Sequence, residues 1–326
     1  MCFGFILLNM YDLIIIGSGA AGLAAGIYAG RYRIKTLLIE GEFGGETAKA
    51  GAIANYPGVI PLDGYELMKL MKEQGKKVGT EFKDGFVKSI TRQGHCFFIE
   101  TEKEKFQAKT VIFAGGAEHR RLGLQNEDAL TGKGVHYCMT CDGPIYTDKT
   151  IAMVGGGDSS VKALNLGAEY FKKAYLITME KEIHAEPINH EHLKQKGDKI
   201  EILTETQVKE IVGDKKLEKI ILTKPFNGSS ELIVDGLFIE IGFKPNVALA
   251  QLVGVELDEK GYIKTDNMMK TNIDGFFAAG DTVNHFGRFK QDITAAAMGT
   301  VAATSAYEDV KAHGVDACEL HQSAHA

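Results

Sequence analysis

The sequence has few cysteines, no surplus of positive charge and no apolar run long enough to cross a membrane. Its five cysteines are an odd and sparse number, unlike the framework of a small secreted protein, so we expect a reducing cytoplasm. The net charge of -6 argues against a nucleic-acid partner, because phosphate binding requires a basic face. Residues 2–8 are apolar but too short for a span and lack the features of a signal peptide, so we expect no membrane partner. Because Met10 directly precedes the first strand pattern, we expect the residues before it to be an upstream-start extension or a frayed tail.

Two strand–helix–strand patterns indicate two domains. A length of 326 residues suits two domains better than one. The apolar run at residues 11–16 leads through a glycine turn and a small-residue helix to a second run at residues 36–39, as in a βαβ unit with buried parallel strands. The same pattern recurs between residues 150–154 and 174–177, with Val161, Leu164, Ala168 and Phe171 on one helical stripe. Residues 242–245 mark a boundary.

Further elements fill the segments around these two units. The hydrophobic patterns predict strands and one long alanine-rich helix. The expected strands are residues 97–100, 110–114, 201–203, 219–222, 232–238 and 275–281, and the expected helix runs from about residue 292 to 310.

The first glycine turn predicts a dinucleotide site. Residues 17–22 match G-x-G-x-x-G directly after a strand and at the start of a helix, which is the context that this motif requires. Gly17 permits the tight turn, Gly19 lets backbone amides approach a pyrophosphate, and Gly22 allows close helix packing. Glu40 follows the first glycine at about the spacing expected of a carboxylate that binds ribose hydroxyls.

The second glycine turn matches the same motif less completely. Gly155, Gly157 and Ser160 occupy its three positions. The strand that follows ends at Glu180, and no arginine is present there to hold a 2′-phosphate, so NADH is favoured over NADPH. A fold that persists without binding nicotinamide remains the alternative.

Cys138 and Cys141 form a C-x-x-C motif with no second pair of metal ligands nearby. A tetrahedral zinc site would therefore lack half of its ligands, and redox chemistry is the better interpretation. Two intervening residues let the sulfurs meet, and a helix start can stabilise one of them as a thiolate. Asp142 can supply a proton, or it can simply be a turn residue. Cys2, Cys96 and Cys318 have no partner nearby in sequence and are expected to be inert.

These motifs together resemble the low-molecular-weight thioredoxin reductase family, from residue 11 to the final helix. The resemblance also includes Asn55-Tyr56-Pro57-Gly58, residues 114–116 and residues 277–281. It implies an α/β fold of two Rossmann-like three-layer nucleotide-binding domains, the second inserted into the first. The FAD-binding domain would comprise residues 10–117 and 246–326, and the nicotinamide-binding-like domain with the dithiol would comprise residues 118–245.

The resemblance also implies site residues and partners. Cys141 would be the flavin-proximal sulfur, Cys138 would attack the disulfide of a thioredoxin- or glutaredoxin-like protein, and Asp142 would be the acid. A homodimer is implied and no metal site is. The residues expected to bind FAD are Gly17, Ser18, Gly19, Ala20, Ala21, Gly22, Glu40, Gly41, Gly44, Gly45, Glu46, Asn55, Val87, Gly115, Gly280, Asp281, Lys290, Gln291 and Asp292; those expected to bind a nicotinamide nucleotide are Gly155, Gly157, Asp158, Ser159 and Glu180.

Departures from the family pattern leave the electron donor open. The basic NADPH signature is replaced by Thr178-Met179-Glu180 with His184 in place of a further arginine, and Glu46 and Asp292 replace residues usual beside the flavin. The donor is therefore NADH, NADPH or a reduced ferredoxin. Two other functions are compatible with the sequence: a flavin-dependent dithiol oxidase that uses oxygen, and a flavin-binding scaffold that holds a metal through its C-x-x-C.

Overall fold

The structure is a computed structural model that describes residues 9–287 and 289–313. The strands, in chain order, are β1 (Asn9–Ile16), β2 (Thr36–Glu40), β3 (Ala52–Ile53), β4 (Leu62–Asp63), β5 (Glu81–Asp84), β6 (Val87–Gln93), β7 (Cys96–Thr101), β8 (Lys105–Phe113), β9 (Ala117–His119), β10 (Val135–His136), β11 (Thr150–Val154), β12 (Lys173–Ile177), β13 (Ile200–Leu203), β14 (Val208–Val212), β15 (Lys219–Phe226), β16 (Ser229–Ile233), β17 (Gly236–Ile239), β18 (Phe243–Pro245) and β19 (Phe276–Ala278). The helices are α1 (Ala20–Arg31), α2 (Gly64–Lys77), α3 (Glu127–Leu130), α4 (Met139–Asp142), α5 (Asp158–Gly167), α6 (Pro187–Gln195), α7 (Ala248–Gln251) and α8 (Asp292–His313).

The described chain divides into two compact units. One contains the described residues up to Ala117 and from Pro245 onward, and the other contains Glu118–Lys244. The tail expected before Met10 lies almost wholly outside the described residues. Within the described part, no helix is both long and apolar enough to cross a bilayer.

The first unit is built on a mostly parallel sheet in the order β5-β2-β1-β8, with β19 also pairing with β8 and with β7 and β6 added in antiparallel fashion. Leu13, Ile14 and Ile15 are completely buried, as expected of a parallel strand covered on both faces. Helices α1 and α8 pack together. A Cβ on Gly299 would lie 2.8 Å from the Ala21 carbonyl carbon, so this helix contact requires glycine.

The second unit places a parallel sheet, in the order β10-β17-β11-β12-β13, between two hydrophobic layers. Ala152 and Val154 face the cluster that includes the antiparallel strands β14 to β16, whereas Ile151 and Met153 face the cluster that includes α5. The alternation follows from the two-residue period of a strand. The apolar layers hold the carboxyl ends of β11 and β12 in place beside α5.

Three sequence expectations need correction. The strand expected at residues 232–238 is two strands, β16 and β17, because the chain turns at Asp235, whose carboxylate accepts a hydrogen bond from the Thr150 backbone N–H at 2.9 Å. Helix α5 ends at Gly167, so Ala168 and Phe171 pack into the same cluster from beyond the helix. Cys96 is disulfide-bonded rather than inert; Cys2 and Cys318 lie outside the described residues.

Candidate active site

The glycine turn between β1 and α1 is shaped by backbone contacts. Gly17 has a φ of 106°, and a Cβ there would lie 2.9 Å from the Ala114 carbonyl carbon. A Cβ on Gly22 would lie equally close to the Gly17 carbonyl carbon, whereas one on Gly19 would meet nothing within 4 Å. Gly19 is the N-cap of α1 and, because it has no side chain, supplies no capping hydrogen bond to the first N–H groups of the helix. An open helix start of this kind binds anions such as a pyrophosphate.

Glu40 ends β2 and has the environment of a ribose ligand. Its side chain is 3% exposed and its Oε1 pairs with the ammonium group of Lys72. Its Oε2 is buried without a hydrogen-bond partner among the described residues. Buried carboxylate oxygens are rarely left in this state, and a pair of ribose hydroxyls would satisfy this one. Sequence reasoning missed Lys72, since its contact arises only from the packing of α2.

The loop after β2 is tied to the glycine turn. The Ser18 hydroxyl donates to the Glu42 carbonyl at 3.1 Å and accepts from the Gly44 N–H at 3.4 Å. A Cβ on Gly45 would lie 3.6 Å from the Gly19 Cα, and one on Gly41 would lie 2.7 Å from the Phe86 ring. The loop thus comes next to the open side of the turn.

Several predicted residues meet around the start of α8. The Asn55 side-chain amide donates to Gln291 Oε1 at 2.9 Å, and the Thr47 hydroxyl donates to an Asp292 carboxylate oxygen at 2.5 Å. Gly280 lies against the first turn of α1, because a Cβ there would be 2.9 Å from the Ala21 Cβ. The same Cβ would lie 3.9 Å from the Ala295 Cβ in the first turn of α8, so the starts of α8 and α1 belong to the same region of the unit.

The remaining charged groups of this region are Asp281, Lys290 and Glu46. Burial raises the pKa of Asp281, and the charges of Asp292 and Glu46 act in the same direction while Lys290 opposes them. Burial lowers the pKa of Lys290, whose ammonium group donates to the Val283 carbonyl. Glu46 pairs with Lys49 at 3.1 Å.

Of the two remaining predicted FAD-binding residues, one adjoins the glycine turn and the other lies farther from it. Gly115 follows β8, and its backbone nitrogen would lie 3.6 Å from a Cβ on Gly17. Val87 begins β6 and packs at the margin of the core cluster. Phe86, which directly precedes Val87, contacts Gly41, and this contact connects Val87 with the other predicted FAD-binding residues.

The second glycine turn is also open at its helix start. Gly155 has a φ of 146°, and a Cβ on Gly157 would meet nothing within 4 Å. The carboxylate of Asp158 is already engaged, since it accepts from the Glu186 backbone N–H at 2.8 Å and from the Asn189 amide at 2.9 Å. Ser159 is exposed beside it.

Ser160 and Glu180 complete the environment of this turn. Ser160 is completely buried and its hydroxyl donates to the Gly157 carbonyl at 2.7 Å, so the larger third motif residue is accommodated. Glu180 is exposed. The chain beyond it returns to the turn, because the His184 N–H donates to the Gly156 carbonyl at 2.7 Å. Neither Glu180 nor His184 carries the guanidinium group that favours binding of a 2′-phosphate.

The two motif cysteines are joined at the start of α4. Cys138 and Cys141 form a disulfide with a Cα–Cα distance of 5.3 Å. Cys138 is the N-cap of α4, and its sulfur accepts from the Cys141 N–H at 3.1 Å. Cys141 is exposed and Cys138 is half-buried, so both sulfurs are accessible to a reactant. Met139 is buried beneath them and anchors the short helix.

Asp142, the last residue of α4, contacts a buried histidine. Its Oδ2 lies 3.0 Å from His136 Nδ1, and the His136 Nε2 lies 2.6 Å from the Tyr146 hydroxyl. Burial, reinforced by the charges of Asp142 and Asp235, raises the pKa of Tyr146 to about 12. Sequence reasoning gave neither His136 nor Tyr146 a role, although His136 stands two residues before the first cysteine.

Comparison with known proteins identifies the family. The sequence pattern of the pyridine nucleotide-disulphide oxidoreductases matches residues 11–299. The chain is 36% identical to a thioredoxin reductase of Peptoclostridium acidaminophilum over 314 residues, covering 94% of this chain and 98% of that protein. The chain belongs to the low-molecular-weight thioredoxin reductase family. The family expected from the motifs is confirmed, and with it an oxidoreductase of the FAD-dependent kind.

Solved structures agree with the expected fold. The thioredoxin reductase of Lactococcus lactis matches with a TM-score of 0.86 and 35% identity, over 93% of this chain and 99% of that one. The match confirms the α/β fold class with two Rossmann-like domains. A ferredoxin-flavin thioredoxin reductase of Clostridium acetobutylicum matches with a TM-score of 0.51 and 34% identity, over 94% of this chain and 99% of that one.

Proposed function

We propose that this thioredoxin reductase family member reduces the disulfide of a thioredoxin- or glutaredoxin-like protein through Cys138 and Cys141. The observation that carries the proposal is the accessible disulfide at the start of α4, followed immediately by Asp142. A thiolate at a helix N-terminus is stabilised by the exposed N–H groups, and the Cys138 sulfur already accepts one of them. Cys138 therefore suits attack on a partner disulfide, and Cys141 resolves the mixed disulfide that forms.

The first unit is proposed to hold FAD, and its residues fit that group. When bound, FAD supplies the electron pair that opens the Cys138–Cys141 disulfide. The helix start at Gly19 would bind the pyrophosphate, and the unpartnered Oε2 of Glu40 would accept from the adenosine ribose. Asp281 would bind the ribityl chain, and Gln291 would lie near the isoalloxazine at the start of α8, where the helix dipole favours negative charge.

For the electron donor we favour NADH over NADPH among the nicotinamide nucleotides. The exposed carboxylate of Glu180 can accept hydrogen bonds from ribose hydroxyls but would repel a 2′-phosphate. The open space above Gly157 gives backbone amides access to a pyrophosphate. If Glu180 performs this role, Glu180→Gln should weaken NADH binding about tenfold, which corresponds to the loss of about 1.4 kcal/mol.

A reduced ferredoxin is the second candidate donor. It is favoured by the carboxylate that replaces the basic signature, by the engagement of Asp158 with residues 186–189, and by the similarity to a ferredoxin-flavin thioredoxin reductase. Anaerobic stopped-flow reduction of the flavoprotein by NADH, NADPH and a reduced two-cluster ferredoxin separates these donors. Rapid bleaching of the flavin by NADPH alone would contradict the role given to Glu180. Bleaching by ferredoxin alone would show that the second glycine turn is not a working nicotinamide site.

The activity itself is tested by turnover with a bacterial thioredoxin as the disulfide. With sodium dithionite as an artificial reductant, the wild-type flavoprotein should convert thioredoxin to its dithiol, while Cys138→Ser should retain the flavin and lose this activity. Equal activity of the Cys138→Ser variant would contradict the proposal. We further propose a homodimer in a reducing cytoplasm, and light scattering of the purified flavoprotein checks the oligomeric state.

A further inference from the structure

Within the second unit, a chain of three hydrogen-bonding groups leads from the partly exposed Asp142 to the buried His136 and Tyr146. His136, on β10, is 3% exposed and bridges the two others, with Nδ1 3.0 Å from Asp142 and Nε2 2.6 Å from the Tyr146 hydroxyl. Its ring stacks on Phe238 with centroids 5.3 Å apart, and the Tyr146 ring meets it edge-on at the same distance. The imidazole is thus held between two apolar rings with each nitrogen facing one partner.

Both protonation states of this imidazole are satisfied by its neighbours. A neutral ring can donate from Nδ1 to the Asp142 carboxylate while Nε2 accepts from the Tyr146 hydroxyl. An imidazolium donates from both nitrogens, and the hydroxyl then rotates to accept. The groups facing the ring or its tyrosine partner are Asp142, Asp235 and the Lys149 ammonium, which lies 5.4 Å from the Tyr146 ring. Two of these three are carboxylates, and Asp142 is the one in direct contact with the ring.

Asp142 is the member of this chain that lies nearest to solvent. Its side chain is 38% exposed, whereas that of His136 is 3% exposed, so the imidazole is the group shielded from proton exchange with water. An imidazole is the side chain that takes up and releases a proton near neutrality. The Asp142–His136 pair is therefore a better source of the proton needed at the dithiol than the Asp142 carboxyl group alone.

We propose that His136 is a positioning residue that stores the proton used at the dithiol and passes it through Asp142. The inference rests on the proposed reduction of a partner disulfide and adds the source of the proton. Tyr146 completes the arrangement by satisfying Nε2 in either protonation state.

The proposed steps balance in protons and electrons. At the start Cys138 is a thiolate, Cys141 is a thiol and His136 carries a proton. Cys138 attacks the partner disulfide and forms a mixed disulfide, and the partner sulfur that leaves takes the proton of His136 through Asp142. Cys141 then gives its proton to Asp142 and His136, and its thiolate attacks the Cys138 sulfur. The second partner sulfur leaves and takes that proton. The two electrons of the dithiol, the proton of Cys141 and the proton first held by His136 therefore end on the partner, and His136 is left neutral.

The test compares two small disulfides that differ in their need for a proton. The purified flavoprotein is reduced anaerobically with one equivalent of tris(2-carboxyethyl)phosphine and mixed with 5,5′-dithiobis(2-nitrobenzoate), whose thiolate leaves without a proton, or with hydroxyethyl disulfide, whose alkyl thiolate needs one. His136→Asn keeps an N–H donor for Asp142 but cannot carry the proton. It should slow the reaction with hydroxyethyl disulfide roughly a hundredfold, the lower end of the usual effect of a general acid. The reaction with 5,5′-dithiobis(2-nitrobenzoate) should keep its rate.

Equal slowing with both disulfides would show a purely structural role for His136, and no slowing with either would also overturn the proposal. Tyr146→Phe provides a second variant if His136→Asn does not fold. It leaves the Asp142 contact but removes the acceptor for an imidazolium, so the alkaline decline of the hydroxyethyl disulfide rate should begin at lower pH. An unchanged profile would contradict the relay. Failure of the wild-type protein to open either disulfide would instead refute the proposed dithiol function.

Discussion

Two glycines of the first motif, Gly19 in the turn after β1 and Gly22 in the first turn of α1, offer a matched pair of substitutions with different expected effects. Gly19→Ala adds a methyl group that meets nothing within 4 Å, at a residue with an ordinary φ of -71°. Gly22→Ala adds one 2.9 Å from the Gly17 carbonyl carbon and closer still to its oxygen. The first should therefore affect only what binds above the turn, and the second should affect the fold itself.

The magnitudes follow from these contacts. At Gly19, alanine is a poorer N-cap than glycine but restricts the unfolded chain, so the free energy of unfolding should change by less than about 1 kcal/mol. The added methyl group occupies the approach of the pyrophosphate, and steric overlap worth about 1–3 kcal/mol would weaken FAD binding by about 5- to 140-fold. At Gly22, overlap between two backbone segments should cost about 3 kcal/mol, or about 6–12 °C in Tm.

The assay combines thermal unfolding of FAD-free protein with titration of FAD. The FAD-free form is required because a bound ligand adds to the apparent stability. Circular dichroism gives the Tm, and flavin fluorescence gives the affinity. Wild-type FAD affinity in Gly19→Ala would refute the assignment of the pyrophosphate to this turn. Wild-type stability of Gly22→Ala would refute the close contact between α1 and the turn.

Three further substitutions test separate parts of the structure. Asp281→Asn should remove a pH dependence of the free energy of unfolding. Burial raises the pKa of Asp281, so the native state binds this proton more tightly than the unfolded state and the stability of the FAD-free wild type falls as pH rises through the titration. Urea unfolding at several pH values measures this fall, and an identical fall in the variant would contradict the prediction. Glu127→Gln should lower the free energy of unfolding in urea by about 2–3 kcal/mol. The buried Glu127 carboxylate accepts hydrogen bonds from three backbone N–H groups and from the Tyr137 hydroxyl at 2.6 Å. A loss below about 0.5 kcal/mol would contradict a stabilising role for these hydrogen bonds. The methyl group added by Gly157→Ala would meet nothing within 4 Å, so this variant should keep the wild-type Tm but bind NADH more weakly. Flavin reduction at increasing NADH concentration measures the binding. Unchanged binding would exclude this turn as the nicotinamide site.

The parts of the fold that could be predicted are those fixed by local sequence. The run at residues 11–16 is continuous and apolar because β1 is buried on both faces, and its glycine turn follows from the close approach of Gly17 and Gly22. The turn at Asp235 was missed although Asp235-Gly236, a dipeptide typical of turns, interrupts the apolar run of residues 232–238. The Asp235 carboxylate also accepts a hydrogen bond from the Thr150 backbone N–H, and this contact between residues 85 positions apart could not be predicted.

The chemical partners of the site residues depend on tertiary contacts and could not be predicted. Glu40 could be identified from its spacing to Gly17, but its pairing with Lys72 depends on how α2 packs. Asp142 could be identified from its place beside Cys141. Its contact with His136 depends on the chain turning back from β10 into α4, which no spacing rule describes.

The central claim is that the Cys138–Cys141 pair carries electrons to a partner disulfide, and trapping of the intermediate tests it most directly. Cys141→Ser leaves the attacking sulfur but removes the resolving one. The reduced variant is mixed with a bacterial thioredoxin that retains only its exposed active-site cysteine, activated as a mixed disulfide with thionitrobenzoate. Cys138 should displace thionitrobenzoate and keep a one-to-one mixed disulfide with thioredoxin, visible by mass spectrometry of the intact complex and absent from Cys138→Ser. Continued turnover by Cys141→Ser, with thioredoxin reduced catalytically and no adduct formed, would contradict the account.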